Sequence, residues 1–162
     1  MDKAYSAKIE ALVRDYKDKS QKFGGGNPYG VFISPAGWAG NGAIIHMAVV
    51  NYFLYKAFPQ IIDKESVYSG LNYIYGTHPD SDISFVSAVG ASSKRVAYGN
   101  NRADFTFIPG GIVPGVLLLN PDFPENKEDW PFLWGENEYV VNLGASYIYL
   151  VNAVNDLLFN TK

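Results

Sequence analysis

The amino-acid sequence predicts an all-α fold of helical hairpins with one long ordered loop. Four segments carry apolar residues at the three- and four-residue spacing of helices, and glycine or proline ends three of them. The chain has 162 residues, of which 48% are hydrophobic and none is cysteine. A chain of this length buries enough surface to fold without disulfides or metals. We therefore predict a single domain over residues 1–162.

The first two helices are predicted from their apolar spacing and their ends. Asp2 is a suitable N-cap for a helix that runs to about Gln21, where three glycines follow. The second helix is predicted over Asn41–Phe58 and is stopped by a proline. It is apolar nearly all round, which predicts a buried helix. His46, inside it, is accordingly predicted to be a core histidine.

The third helix and the loop after it are predicted next. Asp63 can cap a helix that ends near Gly76. Residues Thr77–Gly135 show no sustained helical period, and short strands are predicted there at Ile83–Val89 and Ile112–Leu119. A loop this long inside a compact domain is commonly functional.

The last helix is predicted over Asn137–Phe159, and two glutamates stand at its start. Glu136 and Glu138 follow Trp134, at the end of a segment from residue 122 that holds six acidic residues and one lysine. An acidic, tryptophan-bearing loop that leads into a helix is typical of a functional site. The simpler interpretation of Glu138 is a helix-start charge, which stabilises a helix by about 0.3–1 kcal/mol.

Composition argues against several classes of partner. The net charge of −3 disfavours nucleic-acid binding, which needs a basic surface. The longest apolar stretch, Gly42–Ala57, is interrupted by polar residues, so we predict no membrane span, and the first residues lack the pattern of a secretory leader. Two isolated histidines without cysteine cannot form a zinc site. A calcium site in the acidic loop is less favoured than a solvated surface, and we predict no metal or cofactor.

The order of six short segments resembles the C-terminal part of the family nine glycoside hydrolases. These are inverting cellulases and related enzymes built on an (α/α)6 barrel. The resemblance implies that this chain is the C-terminal part of such a toroid. The segments are NPYGV at 27–31, WAGN at 38–41, LNYIYGTHPDSDISFVSAVG at 71–90, NNR at 100–102, IPGGIVPG at 108–115 and NEYVVNLGA at 137–145.

The resemblance implies roles for two residues and the absence of others. Glu138 occupies the place of the family's general acid, and Arg102 that of its substrate-binding arginine. Asn100 and Asn101 replace two histidines, so the substrate can differ from cellulose. The family's Asp-Ala-Gly-Asp motif, which carries the catalytic aspartates, does not occur in this sequence. The missing N-terminal half of the barrel would have to supply the base, and the chain alone is expected to be inactive.

The remaining candidate residues are those able to hold a sugar. Tryptophan and tyrosine rings can pack on the C–H face of a sugar, although core packing is the alternative for each ring. Arg102 can donate several hydrogen bonds to hydroxyls or pair with a nearby acid. Glu136 is either a helix-start charge or the neighbour of the acid. The substrate-binding candidates are Arg102, Asn101, Trp38, Trp134, Trp130, Tyr29 and Glu136.

Two functions from different classes follow. The first is an inverting hydrolase of β-linked glucan or a related polysaccharide or oligosaccharide, to which this chain supplies the general acid. By the resemblance, its parent is expected to be secreted or periplasmic. The second is a non-catalytic carbohydrate-binding module or a helical interaction module. Half of a toroid would leave apolar helix faces uncovered, which predicts self-association.

Overall fold

The chain folds mainly into α-helices, as predicted. A computed structural model describes residues 3–24, 28–33, 40–78, 82–95, 107–115 and 138–160. Within these ranges most residues are helical, so the all-α prediction is confirmed. The elements are α1 (Lys3–Gly24), α2 (Gly40–Ala57), α3 (Glu65–Ile74), β1 (Ile83–Ser84), β2 (Ser92–Ser93) and α4 (Val141–Phe159).

The core lies where α2 packs against α3 and α4. Gly70 lets α3 lie close to α2, because a Cβ atom at this position would lie 2.6 Å from the Cβ of Ala48 in α2. From α4, Leu150 is fully buried in the same cluster. The buried side chains of this core include Ile44, Ile45, Val67, Tyr73, Ile74, Phe85, Val86, Val113 and Leu150.

Helix α1 joins the domain through a second, smaller cluster. Val13 is buried there with Ile61 and Ile62, which follow α2. Two hydrogen bonds fix the orientation of α1: the Tyr16 hydroxyl donates to Asn51 Oδ1 at 2.8 Å, and Lys17 Nζ donates to the Ile61 carbonyl at 2.7 Å. Helix α1 thus packs on the end of α2 rather than on the main core.

The sequence correctly predicted the capping residue of α3, but it did not predict how much of α2 is exposed. Asp63 Oδ1 accepts a hydrogen bond of 3.0 Å from the Glu65 amide, as expected of a capping side chain. The prediction of a wholly buried α2 is wrong, because α3 and α4 cover only part of its surface. His46 and Phe53 are exposed on the remainder, so His46 is not a core histidine.

The predicted strands are much shorter in the structure. Of Ile83–Val89 only Ile83–Ser84 forms a strand, which pairs in parallel with Ser92–Ser93. Ile112 makes one antiparallel bridge with Val86, and residues 116–119 lie outside the described part. The predicted strand also could not continue to Val89, because the backbone turns at Ala88, whose φ is 61°. Among the described helices, none has the length and apolarity needed to cross a bilayer.

Candidate functional site

Glu138 lies just before α4 rather than inside its first turn. The helix begins at Val141, and Val140 at its N-cap is extended, with φ −119° and ψ 120°. The predicted start at Asn137 is therefore wrong. The Glu138 charge is therefore farther from the helix N-terminus than predicted. It would stabilise the helix less, since the macrodipole acts mainly within the first turn. The residue itself is half-buried.

Tyr139, the residue after Glu138, ties this segment to two other parts of the chain. Its hydroxyl lies 2.7 Å from Ser87 Oγ and accepts a hydrogen bond of 3.1 Å from the Ile108 amide. Because Ser87 Oγ donates its own proton to the Lys94 carbonyl at 3.0 Å, the tyrosine hydroxyl must donate to Ser87. The network therefore has one direction, from Tyr139 through Ser87 to Lys94.

The ring of Tyr139 also packs tightly against a turn. A Cβ atom on Gly111 would lie 2.6 Å from Tyr139 Cε1, so only glycine fits beneath the ring without a shift. The turn is bound to the 83–95 segment by backbone hydrogen bonds. Ser87 donates to the Gly111 carbonyl at 2.9 Å and accepts from the Gly110 amide at 2.8 Å. The turn, Ser87 and Tyr139 thus form one connected unit.

The same loop continues onto the N-terminus of α2. The Asn41 side chain is buried and donates to the Val113 carbonyl at 2.9 Å. The backbone amides of Gly40 and Asn41 donate to the carbonyls of Gly115 and Pro114 at 3.2 and 2.9 Å. Backbone carbonyls therefore satisfy amides that helix geometry leaves without partners. Gly115 has φ +71° and contacts Asn41 so closely that a side chain would not fit.

The described residues include only two of the predicted site residues. Glu138 precedes Tyr139 in the chain, and Tyr29 is half-buried in an edge-to-face contact with Tyr73, with the ring centroids 6.2 Å apart. That contact uses part of the Tyr29 ring for core packing. The other candidates lie outside the described residues, so their grouping with Glu138 stays a prediction. They are Arg102, Asn101, Trp38, Trp134, Trp130 and Glu136.

Sequence reasoning missed the residues that hold this region together. Tyr139, Ser87 and Asn41 were not singled out, although each stands inside a segment that carries the family resemblance. For Tyr139 the available signal was its position next to Glu138, the predicted acid. Among the described residues, no three acidic or histidine side chains cluster as metal ligands would.

A cavity of about 410 Å³ lies elsewhere, between the end of α1, α2 and α3. Its described lining includes the apolar side chains of Val31, Phe32, Ile44, Met47 and Ala48, and its polar members are Ser20, Gln21, Asn51 and Ser66. No acid, base or other charged side chain is among these lining residues. The described lining therefore offers no group for acid–base chemistry, and Glu138 remains the candidate centre.

Comparisons with known proteins identify the fold. The sequence matches no known family profile and no curated protein. A solved structure described as Bacteroides ovatus GH9, a glycoside hydrolase family 9 protein, matches with a TM-score of 0.74 and 18% sequence identity. The match covers 97% of this chain and 30% of that chain. The fold is thus that of part of a GH9 protein, as the predicted toroid fragment requires.

Proposed function

We propose that this chain is the C-terminal part of an inverting glycoside hydrolase and that Glu138 is its general acid. The observation that carries the proposal is the GH9-like fold over nearly the whole chain. The sequence resemblance supports the choice of Glu138, which is half-buried. The proposed substrate is a β-linked glucan or a related polysaccharide or oligosaccharide. The proposal agrees with the hydrogen bonds of Tyr139 to Ser87 and Ile108, which hold the segment that carries Glu138 in place.

Hydrolysis with inversion requires two carboxyl groups about 6.5–9.5 Å apart. In the proposed reaction the Glu138 carboxyl protonates the glycosidic oxygen as the bond from that oxygen to the anomeric carbon breaks. A water molecule attacks this carbon from the opposite face and gives its proton to the second carboxylate. The remaining part of the barrel would provide that second group. Both carboxyl groups then return to their starting states by exchange with solvent.

The sugar would be held by the other candidate residues. Arg102 suits hydroxyl recognition, because its guanidinium presents several donors in a fixed plane. Asn101 would add amide contacts in place of the family's histidine, and Glu136 would accept from hydroxyls. The aromatic rings would pack on the sugar's C–H faces. The rings proposed for this role are those of Trp38, Trp134 and Tyr29.

The rest of the barrel is the second proposed partner. Helices α2 and α4 share an exposed surface formed by His46, Phe53, Ala145 and Tyr149, called here the α2–α4 surface. The rings of Phe53 and Tyr149 stack on it with centroids 5.7 Å apart. An exposed aromatic pair of this kind marks an interaction surface. We propose that further helices of the barrel cover it, and that two copies of the chain associate through it otherwise.

The catalytic proposal is tested by changing the acid. In a polypeptide that supplies the remaining barrel, Glu138→Gln should reduce hydrolysis of cello-oligosaccharides about 10²- to 10⁴-fold. Activity on 2,4-dinitrophenyl β-cellobioside should change little, because this leaving group departs without protonation. Glu65→Gln, an exposed glutamate at the start of α3, is the control. Equal losses on both substrates would refute the role of Glu138.

The chain alone provides a second test. It should release no reducing sugar from cello-oligosaccharides, because the base is proposed to lie elsewhere. Hydrolysis at an appreciable rate would refute that part of the proposal. Titration of the isotope-labelled chain with cellotetraose should shift the amide resonances of Glu138, Tyr139 and Gly111 in NMR spectra. No shift at these three residues would count against a sugar site here.

The alternative is a non-catalytic carbohydrate-binding or helical interaction module. The stacked and exposed rings of Phe53 and Tyr149 favour it, because such a pair can bind a sugar or a partner helix without any acid. For a carbohydrate-binding module, cellotetraose would shift only the amide resonances of the α2–α4 surface. For an interaction module, cellotetraose would shift no resonances, and a protein partner would shift those of the α2–α4 surface. The same titration thus separates the two functions.

A further inference from the structure

Three separate segments meet at the side chain of Tyr139. The hydroxyl contacts Ser87 from the 83–95 segment and Ile108 from the 107–115 segment, while the ring covers Gly111. Ser87 is completely buried, so loss of its partner would leave a hydroxyl group without that hydrogen bond in the interior. These contacts fix the position of Tyr139 far more closely than those of an ordinary surface residue.

The backbone around Tyr139 transmits this constraint to Glu138. Glu138 and Tyr139 lie directly before Val140, whose backbone is extended, with φ −119° and ψ 120°. Glu138 is joined to Tyr139 by one peptide bond, so a Tyr139 ring held against Gly111 limits where the backbone of Glu138 can lie. The tyrosine thereby restricts the positions that the neighbouring carboxyl can reach.

We propose that Tyr139 is a positioning residue, which sets the place of the Glu138 carboxyl through its hydrogen bonds to Ser87 and Ile108. The inference rests on the proposed function, because it concerns the orientation of the proposed acid. It adds that the exposed turn at Ile108–Gly111 and the acid move together. Loss of the hydroxyl group alone should loosen both, while the ring still fills its place against Gly111.

The test removes only the hydroxyl. In Tyr139→Phe, exchange of the Ile108 amide hydrogen should rise about tenfold, which corresponds to loss of one hydrogen bond. The side-chain carboxyl carbon of Glu138 should change its NMR chemical shift. Exchange at the core amides of Ile45 and Ile74 should not change. The matched control is Tyr149→Phe, which removes the hydroxyl of an exposed tyrosine on α4.

A second variant reaches the same site from the other side. Gly111→Ala places a methyl group against the ring and leaves the hydroxyl in place, so it should also alter the Glu138 carboxyl signal. An unchanged Glu138 signal in Tyr139→Phe would overturn the proposal. An equal change in Tyr149→Phe would overturn it as well. If Gly111→Ala does not fold, Tyr139→Phe decides alone, because its ring retains the packing.

These readouts separate the positioning role from the proposed function. Neither hydrogen exchange nor the carboxyl signal depends on cleavage of a sugar. If both change while Glu138→Gln in the complete barrel lowers activity on both substrates equally, the positioning role holds and the hydrolase proposal fails. In a polypeptide with the whole barrel, Tyr139→Phe should lower kcat for cello-oligosaccharides with little change in KM. Activity on the dinitrophenyl substrate should be retained, as for Glu138→Gln.

Discussion

The side-chain amide of Asn41 donates a hydrogen bond of 2.9 Å to the carbonyl oxygen of Val113, 72 residues further along the chain. Asn41 is almost completely buried, at 1% exposure. Asn41→Ala removes the donor and leaves a buried carbonyl with one bond fewer, so we expect a loss of about 1–3 kcal/mol in the free energy of unfolding. Urea denaturation followed by circular dichroism measures it.

The control for this experiment is Asn152→Ala in α4. The Asn152 side chain also donates to a backbone carbonyl, that of Ile148 at 2.8 Å, but the pair is exposed. Water replaces the lost bond there, so stability should change by less than about 0.5 kcal/mol. Similar losses of stability in the two variants would mean that burial does not increase the contribution of the Asn41 hydrogen bond to the free energy of unfolding.

Two helical glycines are expected to respond in opposite ways to alanine. Gly144 of α4 has open space around its Cβ position, whereas a Cβ on Gly70 of α3 would lie 2.6 Å from Ala48. Gly144→Ala should therefore stabilise the chain by about 0.5–1 kcal/mol, since alanine favours the helix. Gly70→Ala should destabilise it by about 1–3 kcal/mol through overpacking. Thermal melting of both variants tests the pair, and a stabilised Gly70→Ala would contradict the tight α2–α3 contact.

We expect the Asp156 carboxyl to make the stability of the chain sensitive to acid. Hydrogen bonds from Lys56, then Tyr52 and Asn160, hold the pKa of its carboxyl below the ordinary value of 3.8. A lowered folded-state pKa stabilises the fold above the unfolded value, and this contribution is lost as pH falls through the folded one. Asp156→Asn should therefore lose less stability than the parent chain between about pH 5 and pH 2.

Urea midpoints at several pH values measure this difference. Asp15→Asn is the control, because Asp15 also pairs with a lysine, Lys19 at 2.7 Å, but its side chain is 56% exposed against 27% for Asp156. Its acid sensitivity should match that of the parent chain, since exposed pairs contribute little. Parallel pH curves for Asp156→Asn and the parent would show that the Lys56 and Tyr52 contacts do not lower the pKa.

The α2–α4 surface should drive association of the isolated chain. Phe53 and Tyr149 are 55% and 43% exposed, although both are aromatic. Replacing both with serine should weaken self-association by about tenfold or more, because aromatic anchors dominate interfaces. Sedimentation velocity over a range of concentrations measures it. Tyr5→Ser, on the exposed side of α1, should have no such effect, and a parent chain that stays monomeric would contradict the prediction.

Local patterns predicted the helices well but not the contacts around Tyr139. The capping role of Asp63 depends on a residue two positions away, so the sequence contains all the information needed. The contacts of the segment before α4 include instead the Tyr139 hydroxyl, which bonds to Ser87, 52 residues earlier. No periodicity reports such a contact. The apolar pattern of α2 likewise could not show which of its faces remains uncovered.

The contact between α2 and α4 has a consequence for biosynthesis. Tyr52 donates a hydrogen bond of 3.0 Å to Asp156, which is translated 104 residues later. At roughly 5–20 residues per second, the ribosome takes about 5–20 seconds to cover that interval. During this time the nascent α2 lacks the helix that covers part of its apolar surface. We expect a chaperone to bind this stretch until the last helix leaves the exit tunnel.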